Sequence, residues 1–415
     1  MRILLVNKFH YLKGGSEKYY FELGKLLKEH GNEVAYFSME DEKNIKTGDK
    51  EYFVDKFELT SKNIWKVHDV IYSKKNYKKM CEAIDDFKPD IIHLNNFQRQ
   101  LSSSVVFAAY DKKVPIIYTA HDVQAICPAI TMLDSNGNVC EKCIGGKYNN
   151  CIENKCNKGS MLKSVIGAHE GEFYRKHNIY KDMVNYIVTP SKFYKAQFIK
   201  DGYDEKKVIA IHNFINVDEY NLETKNENYA LYSGRLSKEK GIINLVEAFK
   251  KLLEDKEIKN IDSIKLYIAG DGPCKEEIEK YINNNNLKDK MILLGYLKQD
   301  DLKEYTRKAS FIVVPSIWYE NCPYSVLETQ AIGKAIIGAN IGGIPELVQN
   351  GKNGFIYKYD DVNELKEKMK KLFNDKEIAN EFGKNAKKFA REEYDKNKYY
   401  EKIIKIYKSS VIKGD

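Results

Sequence analysis

Short apolar runs, each followed by an amphipathic stretch, recur along nearly the whole chain, and this alternation is what most restricts the fold. In the first half they predict strands at Arg2–Asn7, Glu33–Ser38, Asp90–Asn95, Val114–Ala120, Tyr186–Thr189 and Val208–His212. In the second half the runs are Tyr229–Ser233, Lys265–Ala269, Met291–Gly295, Phe311–Pro315 and Ala335–Ala339. Helical stretches fall between them. Over Glu17–Lys28, for example, Tyr20, Leu23, Leu26 and Leu27 form one stripe. Strands that are apolar throughout have no solvent face, so they require a parallel sheet covered on both sides by helices.

Two such series predict an α/β protein of two Rossmann-like, doubly wound domains, residues 1–213 and 214–394. Ligands are then expected at the carboxyl ends of the strands, in a central cleft faced by both sheets. Asn213–Asp218 and the polar stretch Asn221–Asn228 read as hinge and linker. Glu377–Lys408 reads as one charged helical segment, and its end, from about residue 395 to 415, is expected to pack back on the first domain.

The chain has 415 residues, 43% of them hydrophobic, enough for two filled cores. Its net charge of +8 is spread over 68 basic and 60 acidic residues, unlike the concentrated basic face of a nucleic-acid binder. No apolar run reaches the roughly 18 residues of a membrane span, and Met1–Asn7 reads as a strand rather than a secretory leader. A cytoplasmic location is expected. Lys74, Lys75, Lys78 and Lys79, beside Ile71, Tyr72 and Met80, leave room for peripheral contact with the inner face of the plasma membrane. Glu82, Asp85 and Asp86 follow at once and favour a solvated helix face.

The loops after strands carry the polar motifs. Gly14-Gly15-Ser16-Glu17 opens a helix, and paired glycines there suit either a tight turn or close approach of an anion to free N–H groups. Ser233-Gly234-Arg235 ends a strand, with Lys240-Gly241 soon after; two cations at one strand end can neutralise a diphosphate, or can simply be solvated. Gly270-Asp271-Gly272-Pro273 is a turn. In Pro315–Glu328, Pro323 reads as the first residue of a helix capped by Asn321 or Cys322, so the amides of Tyr324, Ser325 and Val326 would form an anion site. Glu320 and Glu328 flank that start. Two carboxylates at this spacing could grip sugar and ribose hydroxyls, or Glu328 could just favour the helix dipole.

Glu320 and Glu328 with seven residues between them, together with Gly14–Glu17, Ser233–Arg235, Lys240-Gly241, Gly270–Pro273 and Ile341-Gly342-Gly343-Ile344-Pro345-Glu346, resemble glycosyltransferase family 4. The likeness runs from residue 1 to about 395. It implies a GT-B fold and transfer of a sugar from a UDP- or GDP-sugar donor with retention at the anomeric carbon. The acceptor would be a glycan or lipid-linked molecule, as in the synthesis of cell-surface polysaccharides or glycoconjugates. By this resemblance Arg235 and Lys240 bind the donor diphosphate, Glu328 the ribose and Glu320 the transferred sugar. Gly15 approaches the phosphate beside Gly14, and Gly295-Tyr296 meets the base. His121, in Thr119-Ala120-His121-Asp122, matches the sugar-binding histidine of the acceptor domain. No metal cofactor is implied for catalysis; basic side chains stand where other transferases place Mg²⁺. Asp85-Asp86, Asp300-Asp301 and Asp360-Asp361 are not set as an Asp-x-Asp at a strand end.

Five of the eight cysteines crowd between residues 127 and 156. In a reducing compartment such crowding points to metal, and Cys140, Cys143, Cys151 and Cys156 are the expected ligands of a structural zinc, with Cys127 as a substitute. Reduced thiols in a loop are the alternative. Two other functions fit parts of the pattern: a sugar-nucleotide epimerase of the same shape, and a zinc-knuckle nucleic-acid-binding protein.

Overall fold

The computed structural model describes residues 1–59 and 66–412, which divide into two compact units. One is Met1–Asn213 with Asn397–Asp415, and the other is Phe214–Lys396. The first unit holds β1 (Arg2–Val6), β2 (Glu33–Met39), β3 (Lys50–Val54), β4 (Ile91–Leu94), β5 (Ile116–Thr119), β6 (Tyr186–Thr189) and β7 (Val208–Ala210). All neighbours are parallel, in the order β3-β2-β1-β4-β5-β6-β7. Parallel neighbours need a crossover between them; helices serve as most of these crossovers, while β2 and β3 are joined by residues 40–49 without one. The helix Gly15–Glu29 buries Tyr19, Tyr20, Leu23, Leu26 and Leu27, the expected stripe with one tyrosine added. Each such side chain contributes about 1.5–3 kcal/mol through loss of apolar contact with water.

The second unit holds β8 (Tyr229–Ser233), β9 (Lys265–Ala269), β10 (Met291–Gly295), β11 (Phe311–Val314), β12 (Ala335–Ala339) and β13 (Gly354–Tyr357). They form a parallel sheet in the order β10-β9-β8-β11-β12-β13. Strand order reverses direction between β1 and β4 in one sheet and between β8 and β11 in the other. At such a reversal the loops run away from each other and open a crevice.

Several sequence expectations are corrected. The strands β3 and β13 lie at sheet edges, where half-exposed or glycine-led residues give no continuous apolar run. The expected single segment Glu377–Lys408 is two helices, Lys376–Glu393 and Lys396–Ile412. Between them the Tyr394 carbonyl accepts from Ile215 N–H at 3.0 Å, while the buried Tyr394 hydroxyl donates to Gln330 Oε1 at 2.8 Å. The helix expected from Ile71 begins at Lys74, capped by Ser73, with a separate short helix Val67–Ile71 before it. Its four lysines are exposed, and Lys79 pairs with Glu82 at 3.2 Å, as a solvated face requires. Among the described residues no helix is long and apolar enough to cross a membrane.

The last helix completes the first unit rather than the second. Tyr399, Ile403 and Tyr407 are buried, and the Tyr407 hydroxyl pairs with His93 Nδ1 while Tyr399 meets the Tyr19 hydroxyl. The stretch expected as a linker, residues 221–228, is docked instead: Lys225 N–H donates to Arg307 O at 3.0 Å and Glu227 N–H to Lys308 O at 2.8 Å. Lys334, 2% exposed, clamps it from below, its ammonium donating to Lys225 O (2.5 Å), Asn226 Oδ1 (2.7 Å) and Ala309 O (2.7 Å). Three acceptors match the three protons of an ammonium. Replacing Lys334→Met should leave them unsatisfied and cost about 2–4 kcal/mol. Urea unfolding followed by circular dichroism checks this; an unchanged midpoint would mean the clamp contributes nothing.

Candidate active site

In the second unit the crevice between β8 and β11 brings Lys240 and Glu320 together. Lys240 Nζ lies 2.6 Å from Glu320 Oε1 and 5.0 Å from the centre of the Trp318 ring. The same Oε1 accepts from Ser316 Oγ at 2.7 Å and from Trp318 Nε1 at 2.9 Å. Burial alone would raise the Glu320 carboxyl, which is 6% exposed; the Lys240 charge and these hydrogen bonds outweigh it and hold the pKa below the ordinary carboxylate value. Glu320 is therefore a buried, ionised group with fixed orientation.

Two glycines make that placement sterically feasible. Gly241 has φ +67°, and a Cβ there would sit 1.8 Å from the Pro315 carbonyl oxygen. Gly342 has φ +59°, and a Cβ there would meet the Glu320 backbone at 2.4 Å. Gly343 N–H donates to the Glu320 carbonyl at 2.7 Å, so the loop after β12 holds the backbone of Glu320 from one side and the loop after β8 holds its carboxylate from the other.

Arg235 is exposed at the end of β8 beside Gly234. Its own carbonyl accepts from the Tyr232 hydroxyl at 2.8 Å, which fixes the backbone of that turn. Gly295 closes β10 with φ +67°, and the Tyr296 ring that follows is 82% exposed. The helix Tyr324–Ile332 is capped by Pro323 itself, one residue later than the sequence suggested. The Val326 N–H consequently donates to Pro323 O at 3.0 Å and is removed from the expected anion-binding set, leaving Tyr324 and Ser325 at the helix start. Glu328 is the fifth residue of this helix and half-buried.

His121 belongs to the first unit, just beyond β5. Its Nε2 lies 2.9 Å from Asn95 Oδ1, and the Asn95 amide nitrogen donates to the Val6 carbonyl at 3.2 Å. That second bond fixes which way the amide points, so Nε2 carries the proton and Nδ1 is the acceptor nitrogen. Burial pushes the imidazole down to about 3, so the ring is neutral at physiological pH. Asp122 does its work elsewhere: its Oδ1 accepts from Gln124 N–H at 2.9 Å, a local turn. Gly14 and Gly15 are exposed at the start of the helix after β1, and a side chain at Gly14 would meet only Glu17 at 3.6 Å. The fold itself does not demand glycine at that position.

Two family models match the chain: Glycosyltransferase Family 4 over residues 13–219 and Glycosyl transferases group 1 over residues 215–389. The chain belongs to glycosyltransferase family 4. A relative covering most of it is the N-acetyl-alpha-D-glucosaminyl L-malate synthase of Bacillus anthracis, 23% identical over 95% of this chain and 93% of that one. The uncharacterized glycosyltransferase MJ1178 of Methanocaldococcus jannaschii is 32% identical, but the match spans only 49% of this chain and 54% of the relative. Among solved structures, Anabaena Alr3699/HepE in complex with UDP superposes with a TM-score of 0.72 at 16% identity, covering 99% of this chain and all of that one. The fold is therefore GT-B.

Within this family-4 framework, sequence reasoning found Glu320 and Lys240 but not the partners that fix Glu320. Ser316, Trp318 and Glu320 alternate at every second residue, a spacing that puts extended side chains on one side and could have marked them. Asn95, which fixes the tautomer of His121, lies on a different strand end and leaves no local signal. Gly342→Ala should displace the Glu320 backbone, combining left-handed strain with a clash, and cost about 2–4 kcal/mol. Thermal unfolding of the variant checks this, and a wild-type melting temperature would show that the loop yields freely.

Proposed function

We propose that the chain is a retaining, metal-independent hexosyltransferase that moves a sugar from a UDP- or GDP-sugar to a glycan or lipid-linked acceptor. The observation that carries this reading is the pairing of half-buried Lys240 with buried Glu320 at the strand-order reversal, where a parallel sheet takes its ligands. The UDP bound by the Anabaena protein of the same fold favours a uridine donor.

Cleaving a glycosyl–phosphate bond builds positive charge on the sugar ring and negative charge on the departing diphosphate. Lys240 has three N–H donors, so it can keep its bond to Glu320 and still donate to a phosphate oxygen. Arg235 adds a fork of donors on the exposed side. The Tyr324 and Ser325 amides complete the leaving-group site at the positive end of their helix. Oε1 of Glu320 already accepts three bonds, so Oε2 is the atom we assign to the hydroxyls of the transferred sugar. Glu328 takes the ribose, and Gly295-Tyr296 the base.

In the first unit, Gly14 and Gly15 let backbone N–H groups approach a phosphate, which fits a glycine that the fold does not require. His121 is assigned to a sugar hydroxyl; with a pKa near 3 it is neutral and does not serve as a general acid at neutral pH. Retention is assigned to attack from the same face, with the departing diphosphate oxygen taking the acceptor proton.

Glu328→Ala should weaken nucleotide binding in a thermal-shift titration, whereas Glu320→Ala should chiefly lower turnover. Wild-type transfer by the double variant would refute the assignment. Activity should persist through brief EDTA treatment, and Arg235→Ala or Lys240→Ala should each lower kcat about 10²-fold. Strict recovery by added Mg²⁺ or Mn²⁺ would overturn the metal-independent mechanism. Conversion of nucleotide sugar without any acceptor would favour an epimerase.

A further inference from the structure

The five cysteines of residues 127–156 converge, although they come from four separate turns of chain. Cys127, Cys140, Cys143, Cys151 and Cys156 all line one cavity of about 10 Å³, room for a single atom-sized guest. The rest of its wall is mainly apolar, including Ile126, Met132 and Leu133. Water held there would find few polar partners, whereas sulfur is a preferred ligand of a soft or borderline cation.

The backbone just after Cys127 is strained. Ile130 has φ +74° and Met132 φ +50°, left-handed conformations that are costly for bulky residues and unusual for a β-branched one. Within this stretch the Ile130 N–H donates to the Cys127 carbonyl at 2.9 Å, and the Met132 carbonyl accepts from the Cys140 N–H at 2.8 Å, which ties the Cys127 turn to Cys140.

A small antiparallel bridge, Leu133 to Val139, closes on a turn at Gly137 (φ +86°) and returns the chain to Cys140. The short helix Asn149–Glu153 carries Cys151. Gly145, on the turn after Cys143, donates its N–H to Asp201 Oδ1 at 2.6 Å, and Arg175 holds the same carboxylate at 2.8 Å, so the segment is anchored to the unit's helices.

We propose that this cavity binds one structural Zn²⁺ through Cys127, Cys143, Cys151 and Cys156, with Cys140 outside the coordination shell. Cys127, Cys143 and Cys151 are the three buried thiols of the cluster. Cys140 and Cys156 are both half-buried, and Cys156 is the one tied to Cys151, its N–H donating to the Cys151 carbonyl at 3.1 Å. The set therefore differs from the sequence expectation by exchanging Cys140 for Cys127. Among the described residues no three His, Cys, Asp or Glu side chains are already placed to hold a metal ion, so the site requires rotation of the thiols about their side-chain bonds on binding.

Binding breaks four S–H bonds and forms four Zn–S bonds. Four protons pass to the buffer, and no atom changes oxidation state. The cysteines bind zinc as thiolates, so each thiol proton must be displaced and affinity must fall as pH falls. Four sulfurs leave no open position, so the ion orders the segment and does not enter sugar transfer.

Elemental analysis of full-length protein, purified reduced and without a histidine tag, should give close to one zinc per chain. Cobalt exchanged for zinc should show the intense visible bands of a tetrahedral thiolate site. Cys127→Ser should lose at least tenfold in zinc affinity, measured by competition with a chromophoric chelator, while Cys140→Ser keeps the wild-type value. If Cys127→Ser does not fold, the cobalt spectrum of the wild-type chain decides alone. Zinc near zero with five titratable cluster thiols, an oxygen-ligated cobalt spectrum, or loss of zinc in Cys140→Ser but not Cys127→Ser would each overturn the proposal.

Discussion

A strand whose two faces are both covered by helices has nowhere to leave an unpaired polar side chain except beyond its ends. The central strands obey this: Ile3–Val6, Phe311–Val314 and Ala335–Ala339 are buried and carry no polar side chain, and in the buried Ile91–Leu94 and Ile116–Thr119 the side chains of His93 and Thr119 pair with each other at 2.7 Å. The chemistry is therefore delivered by loops, and the order of strands in the sheet decides which loops meet. Lys240 and Glu320 are 80 residues apart in sequence and 2.6 Å apart in space because β8 and β11 are neighbours.

Once the strand ends are fixed, the close approach of loop to loop becomes the next constraint. Around Glu320 the backbones of Pro315, Gly241 and Gly342 are too near for any side chain, so small residues there act as spacers of zero width. The carboxylate they position would be costly to bury alone. Three donors on one oxygen offset that cost.

Much of this was legible in the chain. Tyr186–Thr189, Tyr229–Ser233, Lys265–Ala269, Met291–Gly295 and Ala335–Ala339 form strands with the bounds that apolar runs suggest, since buried parallel strands are written as uninterrupted hydrophobic segments. The edge strands β3 and β13 were not legible, because Lys50-Glu51 and Gly354 shorten their apolar runs, whereas the opposite edges β7 and β10 keep theirs. The break at Tyr394 was hidden for another reason: no glycine or proline marks it, and it arises from a bond to Ile215, far away in sequence. Likewise Glu320 and Lys240 announced themselves as motifs, whereas the fixing of His121 by Asn95 depends on β4 lying beside β5, which only the folded sheet supplies.

The helix Lys396–Ile412 inserts Tyr399 and Tyr407 among Tyr19, His93 and Thr119, although more than 270 residues of chain separate it from that core. A ribosome making this protein emits the seven strands of the first sheet early, yet that domain stays open along one side until the final turns of the chain emerge. The second domain, whose residues are contiguous, can close first. Completion of the first domain therefore waits on residues 397–412, and a chain cut short before them would lack Tyr399, Ile403 and Tyr407 from that domain's core.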